Sequence, residues 1–98
     1  MADEPDEIIH QSLRLKIMAA LDASAEMLEF KRLKGVTQAT DGNLGRQLTF
    51  LAENGYIQIE KDFHANKPRT RARITPVGRK ALKAHVAYLR KLLAGLKP

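Results

Sequence analysis

The stretch TDGNLGRQLTFLAENGYIQIEKDFHANKPRTRARITP, residues 40–76, changes its period part-way along. Leu44, Leu48 and Leu51 recur at helical spacing. Thr40 precedes them as a helix cap, Asp41 suits the positive end of the helix dipole, and Gly55 follows as terminator. From Tyr56 the pattern alternates. YIQIEKD reads as a strand, FHANKP as a hairpin loop and RTRARIT as the returning strand. Thr75 with Pro76 then opens a new helix, Thr as cap and Pro in the first helical position.

Upstream, IIHQSLRLKIMAALDA places Ile9, Leu13, Ile17 and Leu21 at i+4 steps and predicts a first helix, with Ser12 as a cap if the helix restarts after His10. EFKRLKG predicts a short amphipathic turn or two built on Phe30 and Leu33 and closed by Gly35, with VTQAT as connector. The last helix is predicted over 76–96. The order helix, helix, helix, hairpin, helix gives a mainly α (α+β) class. Two short helices on a tight connector, the second with an apolar inner stripe and a small polar outer face, predict a helix-turn-helix, and the two-stranded hairpin makes it winged.

Ninety-eight residues suit a single domain over 1–98, small but able to close one core, with an acidic N-terminal tail over 1–7. The formal charge is +6, unevenly spread. Residues 1–48 hold 6 Lys/Arg against 8 Asp/Glu, and residues 49–98 hold 11 against 3. Beyond Asp62 no acidic side chain follows, so the second half projects a positive field toward a polyanion, nucleic acid before an anionic membrane. The absence of cysteine excludes disulfides and thiolate metal sites and fits a reducing interior. No stretch approaches the roughly 20 apolar residues of a membrane span, and MADEPDE is unlike a basic leader; a cytoplasmic protein is expected.

With the leucine stripe inward at about 100° per residue, Gly42, Arg46, Thr49 and Glu53 point most directly outward, flanked by Asn43 and Phe50. Gly42 and Gly45 are poor helix formers, at about 1 kcal/mol each relative to Ala, a cost that makes sense where a helix surface must approach another backbone. Arg46 can reach a guanine edge bidentately, and Asn43 an adenine edge or a phosphate. In the returning strand, Arg69, Arg71 and Arg73 share one face and Thr70, Ala72 and Ile74 the other. Pairing with Glu60 or Asp62 would give those arginines a structural use. Two or three local acids, however, cannot neutralise them together with Lys67, Arg79, Lys80 and Lys83, and a phosphate-facing surface is the simplest use of the surplus.

The segments IHQSLRLKIMAAL, TDGNLGRQLTFLAENGYIQIEKDF and KPRTRARITPVGRKAL together resemble the single-domain winged helix-turn-helix transcriptional regulators related to the MarR and ArsR groups, over residues 8–93. The resemblance implies that the helix beginning near Thr40 enters the DNA major groove, that the hairpin contacts backbone or minor groove, and that the terminal helices dimerise. It implies that Asn43, Arg46 and Gln47 read bases or contact phosphates, with Lys67, Arg69, Arg71 and Arg73 on the wing; Thr40 at the helix start and the outward Thr49 complete the expected DNA-facing set. Phe50 departs from the polar character expected there; it either packs under the second helix or lies exposed.

Leu82, Val86, Leu89, Leu93 and Leu96 recur at spacings of 4, 3, 4 and 3, a seam of period 3.5 that favours helix pairing. With Ile9 and Leu13 they form the expected homodimer interface, whose two-fold symmetry would match two DNA half-sites. No cofactor, metal site or enzyme activity is expected. His10, His64 and His85 fall on three elements, as a helix-end residue, a loop-tip residue and a flank of the seam, and no carboxylate pair, phosphate loop or nucleophile elbow accompanies them. Met18 and Met27 read as core filler. The expectation is a homodimeric regulator of transcription bound to double-stranded DNA, with an effector unspecified. The competing reading is an adaptor whose basic face meets an acidic protein; an RNA-binding module is disfavoured because the few aromatics form no stacking platform.

Overall fold

A computed structural model of the chain describes residues 4–96. Its elements are α1 (Ser12–Asp22), β1 (Leu28–Glu29), α2 (Phe30–Thr37), α3 (Asp41–Glu53), β2 (Ile57–His64), β3 (Lys67–Ile74) and α4 (Pro76–Ala94).

The first helix starts later than its apolar spacing suggests. Asp6 folds the chain into a turn, its Oδ1 accepting from the Ile8 and Ile9 N–H groups at 2.9 and 3.1 Å and its carbonyl from His10 N–H at 2.7 Å. Gln11, not Ser12, then caps α1, its side-chain oxygen accepting from Arg14 N–H at 2.8 Å. Ile9 therefore sits in the turn, yet it reaches the same core as Ile17 and is fully buried. Residues 1–3 of the expected acidic tail lie outside the described residues. The remainder is no free tail, because Asp6 also accepts from the Tyr56 hydroxyl at 2.6 Å and donates its N–H to His85 Nδ1 at 3.1 Å.

α2 runs straight through Gly35, where a helix interior tolerates glycine at modest cost, and stops at Gln38, whose φ of 57° breaks the ladder. Buried Thr37 turns its hydroxyl back to the Leu33 carbonyl at 2.7 Å. Three residues later Thr40 caps α3, accepting from Asn43 N–H at 3.2 Å, a contact worth about 1 kcal/mol. Lys34 in the last turn of α2 bridges Asp41 in the first turn of α3 at 2.5 Å, each charge at the helix end that favours it. α3 ends as its glycine predicts: Gly55, at φ 77°, donates to the Ala52 carbonyl and Tyr56 N–H to that of Leu51, both at 3.0 Å.

The sheet is antiparallel in the order β1-β3-β2, so the hairpin gains a third strand that two residues could not announce by periodicity. Leu28 lies opposite Ala72 and Glu29 opposite Arg71. The hairpin is also tighter than expected. The loop is Ala65–Asn66 alone, both at positive φ (52° and 64°), and the ladder continues to His64 opposite Lys67. Pro68, opposite Phe63, occupies the next pair, which in a two-residue hairpin exchanges no hydrogen bonds and so loses none to the missing N–H.

The core forms where α1, α2 and α3 meet the inner face of the sheet: Ile17, Met18, Leu21, Leu33, Leu44, Leu48 and Leu51 pack with Ile57, Ala72 and Ile74. Thr75 caps α4 by accepting from Gly78 N–H at 3.0 Å. Gly78 lies against the Tyr56 backbone so closely that a Cβ there would overlap its carbonyl. The helix ends at Ala94, before the predicted limit, with Leu96 beyond it. Three helices, a small sheet whose hairpin projects, and a long closing helix make this a winged helix fold.

Candidate nucleic-acid interface

α3 turns its leucines into the core and leaves Asp41, Gly42, Arg46, Thr49, Phe50 and Glu53 exposed, with Asn43, Gly45 and Gln47 half-buried beside them. Among the described residues nothing lies within 4 Å of where a Cβ would stand on Gly42 or Gly45, so no packing among them requires these glycines. Of the residues expected to touch DNA, three share one network. Asn43 Oδ1 accepts from Gln47 Nε2 at 3.2 Å and from Arg46 Nη2 at 3.4 Å. Thr40 has a structural duty as the α3 cap, and Thr49 stands exposed a turn beyond Gly45.

Sequence reasoning missed Arg14. From α1 it donates through Nη1 to Gln47 Oε1 at 2.7 Å and through Nε to the Ile8 carbonyl at 2.5 Å. Its guanidinium lies 4.5 Å from the centre of the Phe50 ring. That contact answers the question posed by Phe50, which is 39% exposed on the flank of α3 and covered by a cation rather than packed under α2.

The wing differs from expectation in how far its arginines are occupied. Arg69 donates to Asp62 through Nε at 2.9 Å and Nη2 at 2.8 Å, and Arg71 donates to the same carboxylate through Nη2 at 3.1 Å. The hydrogen bond from Arg69, with the charges of both arginines, holds the Asp62 carboxyl below its ordinary range; the same bond raises the Arg69 pKa. Arg73 donates Nε and Nη2 to Gln58 Oε1 at 2.9 and 2.7 Å. Glu60 faces Arg71 across the ladder and Glu29 faces it from β1. Arg79, expected to be surplus, bridges Asp22 at 3.1 Å. Lys67, Lys80 and Lys83 remain exposed, and Phe63 near the wing tip is 75% exposed.

The expected dimer seam divides. Ile9, Leu13 and Leu82 are buried in the chain's own core, because the Asp6 turn and the foot of α4 close over it. Val86 packs partly on that core and Leu89 is half-buried. Leu93 and Leu96 are 62% and 65% exposed, and Leu92, outside the predicted seam, is 51% exposed.

His85 is no flank of that seam. It is buried, its Nδ1 accepts from Asp6 N–H, and its Nε2 has no hydrogen-bond partner among the described residues. His10 and Tyr88 lie against it, with ring centroids 5.5 and 5.8 Å away, so two histidines expected on separate elements meet. Burial, reinforced by His10, lowers the His85 pKa against the opposing pull of Asp6. Burial beside Asp6 pushes the Tyr56 hydroxyl up to about 12. Among the described residues no three His, Cys, Asp or Glu gather as metal ligands, and no helix is long and apolar enough to cross a membrane.

The family described as winged helix DNA-binding domain matches residues 13–93, from α1 to the last turn of α4. The chain belongs to this winged helix DNA-binding domain family. It is 34% identical over 86 residues to an uncharacterized protein of Methanocaldococcus jannaschii, covering 88% of this chain and 92% of the relative. Among solved structures it is similar to a transcriptional regulator homologue from Pyrococcus horikoshii OT3, with a TM-score of 0.85 and 29% identity over 95% of this winged helix chain and 91% of the other. A MarR-family transcriptional regulator from Silicibacter pomeroyi shares the fold, with a TM-score of 0.68 and 21% identity over 94% of this chain and 63% of its own.

Proposed function

We propose that this DNA-binding winged helix protein regulates transcription as a homodimer that reads duplex DNA by sequence. α3 lies in the major groove, with Asn43 and Arg46 at base edges and Thr40, Gln47 and Thr49 beside them, while Lys67, Arg69, Arg71 and Arg73 of the wing meet the backbone or the minor groove. The observation that carries this reading is the outer face of α3. It joins an exposed arginine, an adjacent amide pair and two glycines with open space above them, which together fit a helix surface that approaches another backbone closely. The exposed Leu92 and Leu93, with Leu96 just beyond the helix, support pairing through the distal end of α4.

Enrichment from random duplex DNA tests the reading directly. A dimer touching on the order of 6 to 10 phosphates weakens by roughly a thousandfold between about 50 and 200 mM salt. An adaptor for an acidic protein would enrich no sequence. Leu93→Glu places like charges across the pairing surface, so light scattering should report monomers and operator binding should fall with the loss of linked half-sites. A folded variant that stayed dimeric would move the interface away from this end of α4.

A further inference from the structure

The directions of the hydrogen bonds on α3 are fixed from outside the helix. A guanidinium donates and cannot accept, so Arg14 obliges Gln47 to turn its Oε1 toward α1. The Gln47 amide nitrogen must then point the other way, where it meets Asn43 and can be answered only by an acceptor, Oδ1. Arg46, also a pure donor, reaches the same oxygen. Both hydrogen bonds to the Asn43 side chain therefore fall on its oxygen, and its Nδ2 is left without a hydrogen-bond partner among the described residues. Arg14 is itself held at three points, by Ile8, Gln47 and the Phe50 ring, so the chain of donors starts from a fixed group.

We propose that Arg14 is a positioning residue for base recognition: acting through Gln47, it presents Asn43 to the major groove as a donor without an acceptor. This rests on the reading of α3 as the DNA-facing helix and adds a specificity to it. Bidentate recognition of adenine requires an amide that donates to N7 and accepts from N6. Asn43, with its oxygen occupied, cannot make that pair. Asn43 Nδ2 and Arg46 together form a donor surface, which matches the acceptor edge of guanine, O6 with N7, or O4 of thymine.

The test is enrichment of random duplex DNA by the full chain and its variants, scored by base preference rather than affinity. Asn43→Ala locates the base pair at which Asn43 acts. There the wild-type chain should favour guanine or thymine over adenine. Arg14→Met keeps an apolar stem against Phe50 but removes the donors, releasing both amides, and adenine should rise about tenfold relative to the wild type. Gln47→Glu still accepts from Arg14 but offers no N–H to Asn43. Asn43 should then turn its nitrogen inward and its oxygen to the groove, and preference should move toward adenine or cytosine, whose exocyclic amino groups donate. Gln47→Glu leaves the Arg14 contact in place and carries the test if Arg14→Met fails to melt cooperatively. An arginine with only a structural role would lower melting temperature and overall affinity while the base ratio stayed constant. An unchanged ratio in the folded variants, adenine preferred by the wild type, or no position responding to Asn43→Ala overturns the proposal while leaving sequence-specific binding intact. A wild-type chain that enriched no sequence would remove the DNA reading beneath it.

Discussion

The outer face of α3 and the outer face of β3 both carry arginine, but they hold it differently. On β3 the holding groups include a carboxylate, since Asp62 binds Arg69 and Arg71 with Glu60 and Glu29 close by. On α3 the holding group is neutral: Arg46 leans on an asparagine, which leans on a glutamine. An acid that orients an arginine also cancels part of its charge, whereas an amide orients without cancelling. On the DNA reading proposed above, the difference suits the two surfaces to separate work. α3 keeps the full charge of its arginine and a fixed hydrogen-bond polarity, as base reading needs, while the wing offers a stiff, partly neutralised row suited to gripping a backbone.

The largest expected effect that could break this contrast is on discrimination. Arg46→Ala should cost about 1 to 3 kcal/mol of preference for the operator over random DNA, the value of one good base contact. Arg71→Ala should weaken both DNAs in parallel and leave their ratio alone. Competition binding with the two duplexes measures both, and a parallel loss for Arg46→Ala would make it a phosphate clamp rather than a base reader.

A smaller effect would sharpen the contrast. Asp62→Asn removes the charge that offsets Arg69 and Arg71, so affinity for any duplex should rise by about two- to fivefold at moderate salt, with a steeper salt slope. The same change should do nothing to base preference. Weaker binding by a folded Asp62→Asn chain would mean that the arginines need their orienting acid more than their freed charge.

The smallest effect lies behind both surfaces, where His85 and Asp6 tie the N-terminal turn to α4. The folded-state pKa of His85 is lowered, so below about 6.5 the unfolded chain takes up a proton that the folded chain refuses. Stability should therefore fall as the pH drops from about 6.5 toward the folded pKa. Thermal melting between pH 7 and 5 should show this slope, reduced in His85→Asn, which retains an acceptor for Asp6 N–H without titrating in that range. An unchanged slope would place the proton uptake elsewhere.

Much of this architecture is legible in the sequence where local chemistry decides it. Thr40 and Gly55 bound α3, and Thr75 with Pro76 opens α4, because caps and terminators act within a few residues. What escaped was set by tertiary partners. Ala65–Asn66 lacks the glycine that marks a tight hairpin, so a longer loop was the natural reading. Gly35 reads as a stop, yet the helix passes through it. Leu82 fits a pairing seam by spacing but is claimed by the chain's own core. Arg14 is a single arginine in an amphipathic helix, and nothing local connects it to Gln47, 33 residues away. The outward residues of α3 follow from helical geometry alone; the direction in which their amides point follows from that distant contact.

The two-residue tip of the wing has a consequence for how the protein's reach can change. Four ladder pairs, from Lys61 opposite Thr70 to His64 opposite Lys67, project beyond Glu60 opposite Arg71, the last pair that β1 flanks, an arm of roughly 13 Å at about 3.3 Å per residue. Lengthening each strand by one residue would advance the tip by about the 3.4 Å rise of a base pair, but it would also turn every later side chain to the opposite face. Only insertions of two residues per strand keep Asp62, Arg69 and Phe63 on their present faces. The arm can thus be extended only in even steps, roughly two base pairs at a time. Descendants of this chain that grip more distant phosphates would carry wings longer by multiples of four residues.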